Sequence, residues 1–297
     1  MRFPIAAALA TVFAASATAF DAPTKEQVAE LLKQLTNDKS GAARTKAARA
    51  LENLDPAAKD AVPVLIEALK QKDEVSTGAV LPVAAKALGR LGKAAVPALI
   101  EALETKDAHV QAYAAVALKQ IGPDAKPAVA ALVQVVKQYK EVELPKLQAI
   151  AALGKIGPGA KEAVPALIDV TKEKPPTSAA RLAAITALGQ IGPEAKAAVP
   201  TLIDLLGEEE SKAGPVRLEA ARALGMIGSA AGEEATSALV ALVENKKLGP
   251  ARIVAVNALG QIGPSAKNAV TALKKAGEDA ELKTATTKAI EKIQSKK

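Results

Sequence analysis

Residues 152–168 read ALGKIGPGAKEAVPALI, and residues 187–203 read ALGQIGPEAKAAVPTLI, so one phrase returns 35 residues later with few changes. Anchored on the Leu of that phrase, equivalents fall at Leu51, Leu88, Leu118, Leu153, Leu188, Leu224 and Leu259, with a degenerate copy at Ile290. A period of about 20–50 residues is the signature of stacked structural units. Each unit is too small to bury its own apolar face and must bury it on its neighbours. The chain is therefore one continuous array, not a set of independent globular domains.

Each position of the phrase has a physical role. In RLAAITALGQI, Leu182, Ile185, Leu188 and Ile191 recur at helical spacing and predict a first helix with those four on one face. The Gly after the anchor (Gly89, Gly154, Gly189, Gly225, Gly260) lies inside that helix, where Gly costs about 1 kcal/mol against Ala. The cost is explained if another helix presses there; Glu52 and Lys119 depart from the pattern. The next Gly, such as Gly157 or Gly192, suits a helix end, and Pro158 or Pro193 stops continuation. After a short turn, Pro63, Pro97, Pro165 and Pro200 sit where the first turn of a second helix needs no amide donor. Two helices of about a dozen residues each, joined by this turn, form a hairpin.

These phrases resemble the HEAT-repeat family, in particular the short bacterial phycobilisome-lyase HEAT-like repeat. The resemblance implies an all-α fold, an α-solenoid of about seven hairpins over residues 41–278, with first helices on the convex side and second helices lining the concave one. Capping units are expected at both ends. Residues 20–40 form an N-terminal capping helix opened by a capping box at Thr24–Gln27, and residues 279–297 a basic C-terminal one. Aromatic residues are only 2% of the chain, which fits closely packed, Ala-rich helices better than a core built on rings.

Residues 1–19 carry Arg2, an apolar run and Ala17-Thr18-Ala19, the three-part pattern of a cleaved signal peptide. The mature chain is then exported, to the periplasm or the medium, with no transmembrane segment left. Without Cys it has neither a disulfide nor a lipid-anchored amino terminus, and packing alone holds it.

No constellation points to catalysis, and no cofactor or metal is implied. His109 is the only His, placed in a joint before the third unit. There is no His-Glu pair of the kind that di-iron HEAT-like enzymes use. Tyr113 and Tyr139 are the only aromatic residues after Phe20, too few for the groove of a HEAT-like glycosylase. Gly154 and Gly159 have phosphate-loop spacing, but Ala160 and Lys161 stand where Lys and a hydroxyl are required. Nucleic acid is a poor partner for an exported chain with so few rings to stack on bases.

Two charged series recur instead. Arg44, Lys146, Arg181, Arg217 and Arg252 stand seven residues before their anchors, with Leu81 and Gln111 as exceptions. Glu67, Glu101, Asp169 and Asp204 follow the Leu-Ile pair of second helices. Two roles are open to the acids: pairing with the basic series to fix stacking register, or gripping a basic or amide-rich partner segment. Residues 246–297 hold 11 basic and 4 acidic residues, whereas residues 20–245 hold 27 and 28, so the net positive charge is gathered at one end. Lys274, Lys275, Lys283, Lys288 and Lys292 are its candidate contacts for a polyanion or anionic envelope component. The function expected is an exported, non-enzymatic scaffold that binds a protein or peptide on its concave surface. The alternatives are a surface-association module docking through the basic end and, third, a bilin-lyase-like enzyme.

Overall fold

The computed structural model describes residues 23–37, 41–70, 77–140, 144–174, 178–207 and 214–295. The signal segment 1–19 and the side chain of Arg44 lie outside the described residues. Among the described residues there are helices and no strands. A capping helix α1 (Lys25–Asn37) precedes seven hairpins, and α16 (Lys283–Gln294) follows them. The first helices are α2 (Gly41–Glu52), α4 (Thr77–Leu91), α6 (Ala108–Ile121), α8 (Leu144–Ile156), α10 (Ala179–Ile191), α12 (Gly214–Ile227) and α14 (Gly249–Ile262). The second helices are α3 (Val62–Lys70), α5 (Val96–Leu103), α7 (Val129–Gln138), α9 (Val164–Thr171), α11 (Val199–Leu206), α13 (Gly232–Glu244) and α15 (Val270–Ala276). Even numbers therefore form one row of the solenoid and odd numbers the other.

Most second helices are shorter than the dozen residues expected; α5, α9 and α11 have 8 each. The missing turns are found in the connection, which is not a simple turn but a stretch of 3-10 helix, as at Gly157–Ala163 and Gly192–Ala198. At Gly192 the chain takes φ +72°, a region that L side chains rarely adopt, and Pro193 then blocks continuation of α10. The tightened turns bury Ala195 and Ala198 completely before Val199 and Pro200 open α11. At the amino end, the Thr24 N–H donates to Gln27 Oε1 at 2.9 Å, and the Gln27 N–H donates to Thr24 Oγ1 at 3.3 Å. That is the expected reciprocal capping box.

Stacking is closest along the even row. A Cβ added to Gly189 would lie 2.9 Å from Ala223 Cα, one on Gly225 2.8 Å from Ala258 Cα, and one on Gly260 3.0 Å from Ala289 Cα. From Gly154 onward the Gly after the anchor thus meets the Ala before the next anchor, and a side chain on that Gly would wedge the helices apart, whereas Gly89 meets Gln120 instead. Successive even helices pack extensively, while successive odd helices touch sparsely. Where Gly is missing, a long side chain bridges instead: Lys86 Nζ reaches Glu52 at 2.9 Å, and Lys119 Nζ reaches Gln148 Oε1 at 2.9 Å. The anchor leucines, from Leu51 to Leu259, are all fully buried.

Candidate interaction surface

The recurring basic residues are structural, and they act through an unexpected acceptor. Among the described residues, each of Lys146, Arg181, Arg217 and Arg252 reaches back to the carbonyl end of the odd helix of the preceding unit. Arg181 Nε donates to Thr171 O, Arg217 Nε to Leu206 O at 2.9 Å and Arg252 Nε to Val243 O at 2.8 Å. Lys146 Nζ lies 3.4 Å from Lys140 O, just beyond α7. The last carbonyls of a helix lack amide partners and carry its negative dipole end, so a cation there satisfies both hydrogen bonding and charge. Gln111, an exception by charge, fills the same place: its Nε2 donates to Leu103 O at 2.9 Å and Thr105 O at 2.7 Å.

The carboxylates that complete this ladder are not the acidic series on the odd helices. Lys146 Nζ pairs with Glu173 at 2.7 Å, and an Arg252 guanidinium nitrogen pairs with Asp279 at 2.8 Å. Both acids lie 27 residues after their cation, beyond the end of the odd helix of the same hairpin. In the third unit the equivalent contacts are neutral, with Gln138 Oε1 accepting from Gln111 Nε2 and the Tyr139 hydroxyl donating to Gln111 Oε1 at 2.6 Å. The sequence signal was an acid or amide four residues past Gln134, Asp169 and Lys275.

The hydrogen bond from Arg252, then that from the Glu281 N–H, holds the Asp279 carboxyl below the ordinary aspartate range. A depressed folded-state value stabilises the fold above the unfolded aspartate pKa of about 4, and the contribution is lost as pH falls through the folded value. Asp279→Asn is therefore expected to lower the urea midpoint at pH 7, with the gap to the unmodified protein closing toward pH 2–3. A gap that stays constant over that range would remove Asp279 from the pH-sensitive part of the ladder.

Glu67, Glu101, Asp169 and Asp204 are exposed on the odd row. Glu67 lies 3.6 Å from Lys70 on its own helix. Among the described residues none of the four pairs with the basic ladder, and Arg217 in particular does not bond to Asp204. At the basic end all five lysines are exposed, divided between rows: Lys274 and Lys275 on α15, and Lys283, Lys288 and Lys292 on α16. Lys292 Cδ lies 3.7 Å from where a Gly260 Cβ would be, so it borders the even row. His109 is not in a loop: Asp107 Oδ1 accepts from the His109 and Val110 N–H groups, so α6 begins before it, and its side chain is exposed. Among the described residues no cluster of His, Asp or Glu has the makings of a metal site, and no helix is long and apolar enough to cross a membrane.

The surface feature missed by sequence reasoning is apolar and lies on the even row. Leu182, grouped by periodicity with the core leucines, is only half-buried and lines a groove with Ala183, Thr186, Pro215, Leu218 and Glu219. The groove holds about 530 Å³ between α10 and α12. Thr186 Oγ1 reaches Glu219 at 3.3 Å across its floor, and Glu219 is also paired with Arg222. The same face continues with Leu147 in α8 and Ile253 in α14, the latter 38% exposed, and Leu144 and Met226 border it at 47% and 44%. Large apolar side chains left in water over several consecutive units are what an interaction face requires.

A solenoid of helical hairpins joined by Gly-Pro connections, with a basic ladder at its helix ends, defines a repeat protein of the HEAT class. The family description "HEAT repeats" matches residues 77–143, 140–213 and 173–260, and "PBS lyase HEAT-like repeat" matches residues 43–71. The chain belongs to the HEAT-repeat family. No curated protein matches it. Among solved structures it is similar to YibA of Escherichia coli, at 19% identity over 92% of this chain and 96% of that one, with a TM-score of 0.57. The karyopherin Kap121p bound to the extreme C-terminus of the protein phosphatase Cdc14p gives 13% identity over 90% of this chain and 33% of its own, with a TM-score of 0.62. The complex of CpcE and CpcF of phycocyanin lyase from Nostoc sp. PCC7120 is 25% identical over 88% and 98%, with a TM-score of 0.42.

Proposed function

We propose that this chain is an exported, non-enzymatic scaffold that binds a protein or peptide partner along its solenoid. The observation that carries this reading is the row of apolar side chains on the even helices that reach solvent, half-buried Leu147, Leu182 and Leu218 and exposed Ile253, centred on the groove between Leu182 and Leu218. A stack curves toward its more closely spaced row, so we infer that the even helices line the concave side, the reverse of the assignment that the resemblance implied. The acidic row Glu67, Glu101, Asp169 and Asp204 then forms a separate outer surface for basic segments. Export rests on the signal pattern of residues 1–19.

A photocrosslinking residue at position 253 in the native cell tests the reading. A discrete protein adduct in the envelope or secreted fraction is expected, absent when the probe is moved to exposed Lys161 in a connection. No adduct, or a chain retained in the cytoplasm, overturns it. The second reading, association through the basic end, is favoured by one observation: Lys274, Lys275, Lys283, Lys288 and Lys292 are all exposed in the stretch 246–297, which holds 11 basic and 4 acidic residues. Changing all five to Gln removes salt-sensitive binding to envelope fractions if that end docks, and leaves it unchanged if the end is only a cap.

A further inference from the structure

The two rows differ in charge as well as in packing. The first helices of the seven hairpins contain only two carboxylates, Glu52 and Glu219, and each is paired with a cation, Lys86 and Arg222 respectively. The second helices carry Glu67, Glu101, Asp169, Asp204, Glu233, Glu234 and Glu244, against Lys70 and Lys137 until the basic end is reached. Exposed cations of the even row that are not spent on the ladder include Lys46 and Arg49 in α2, Lys155 in α8, and Lys283, Lys288 and Lys292 in α16, where the row ends. Between Lys155 and the lysines of α16 stand Leu147, Leu182, Leu218 and Ile253, one apolar side chain per unit over four consecutive units. The face is thus an apolar stripe with Lys155 at one end and Lys288 and Lys292 at the other, where the exposed Glu291 between them offsets part of their charge; among the described residues its repeat helices carry no unpaired carboxylate.

We propose that this face docks an acidic amphipathic helix of the partner protein. Resting on the scaffold reading above, the inference adds the chemistry and geometry of the ligand. Neighbouring helices stand about 8–10 Å apart, and seven residues of an α-helix rise about 10.5 Å. A partner helix crossing the row therefore presents one apolar side chain per unit if such residues recur every seventh position, with a run of about 22 residues covering the four sites. Carboxylates near its two ends meet Lys155 on one side and Lys288 and Lys292 on the other. A basic helix of the same apolar pattern is rejected, because its charges would face those same ammonium groups.

The full chain and two synthetic 22-residue helices test this, one with Leu at every seventh position and Glu-rich ends, the other identical but with Lys for Glu. Fluorescence anisotropy is expected to show binding of the acidic peptide, at least tenfold tighter than the basic one at low salt and weakening as salt rises. Circular dichroism should show the bound peptide helical. Ile253→Glu and, independently, Lys155→Glu are each expected to raise the Kd at least fivefold. Both sites are exposed, and an unchanged melting temperature confirms that each variant is folded. Equal binding of the two peptides, preference for the basic one, or a Kd indifferent to both variants overturns the inference. If neither peptide binds while position 253 still crosslinks to a discrete protein, the acidic-helix inference falls and the scaffold reading stands. If the acidic peptide binds as expected but no cellular adduct forms, the scaffold reading falls and the docking chemistry stands.

Discussion

Gly225→Ala is expected to destabilise the protein by about 1–3 kcal/mol, the usual cost of overpacking, although Gly to Ala within an exposed helix gains about 1 kcal/mol. The sign is decided by what the new methyl meets. A Cβ at Gly225 would stand 2.5 Å from Gln261 Oε1, 2.8 Å from Ala258 Cα and 3.0 Å from Ala258 Cβ. The glutamine end is flexible and swings away. Ala258 is the wall of α14, fully built into the next unit, and only separation of two whole helices relieves that contact. Gly214, the first residue of the same helix α12, has nothing within 4 Å of its would-be Cβ, so Gly214→Ala is expected to be neutral or mildly stabilising. Urea midpoints of the two variants make the comparison. Equal effects would show that close approach of even helices does not set the stacking distance.

Lys146→Ala is expected to cost about 3 kcal/mol, the lower end for breaking a buried ion pair. The lysine side chain is 1% exposed, whereas its partner Glu173 is 33% exposed and regains some water when left alone. The change also strips a long aliphatic stem from the junction between the third and fourth hairpins. Lys146→Met keeps the stem and removes the charge, and is expected to recover more than half of the loss, since apolar replacement of a buried ion is often close to neutral. The third unit supplies a natural comparison, because Gln111 holds the same place with Gln138 and Tyr139 as partners. Lys146→Gln combined with Glu173→Gln should accordingly be less damaging than the sum of the two single changes. Additivity within about 0.5 kcal/mol would mean that the two side chains do not act as a pair.

Regular spacing of the anchors goes with the ladder. The intervals between anchors range from 30 to 37 residues. The intervals of 37 and 30 residues lead into the units where Leu81 and Gln111 replace the cation, whereas those leading into the units of Lys146, Arg181, Arg217 and Arg252 are 35 or 36. A cation anchored at the C-terminal end of an odd helix defines where the next unit begins.

Much of the fold is legible because it is local chemistry written repeatedly. The period, the two helices per unit, the Gly-Pro stop, the Val-Pro start and the Thr24–Gln27 cap each depend on residues within a few positions of one another, and each appears in the structure where the sequence placed it. The Gly after the anchor also declared a close contact, since nothing else accounts for its cost within a helix. Three features were not legible. Glu173 and Asp279 take the ladder role that Asp169 and Asp204 seemed to offer by position, because the pairing is fixed by how far Lys146 and Arg252 reach over a helix end, 27 residues away in sequence. The 3-10 connection replaced part of the second helix because burying Ala195 and Ala198 outweighs the preference for regular helical hydrogen bonds. Periodicity places Leu182 on one face with Leu188, but even helices are apolar on nearly every side, flanked by two neighbours and their own hairpin partner. Only the packed array shows which side is left without a neighbour, and there Leu182 and Leu218 stay partly open to solvent and Ile253 is exposed, while Leu188, six residues from Leu182 on the same helix, is closed off completely.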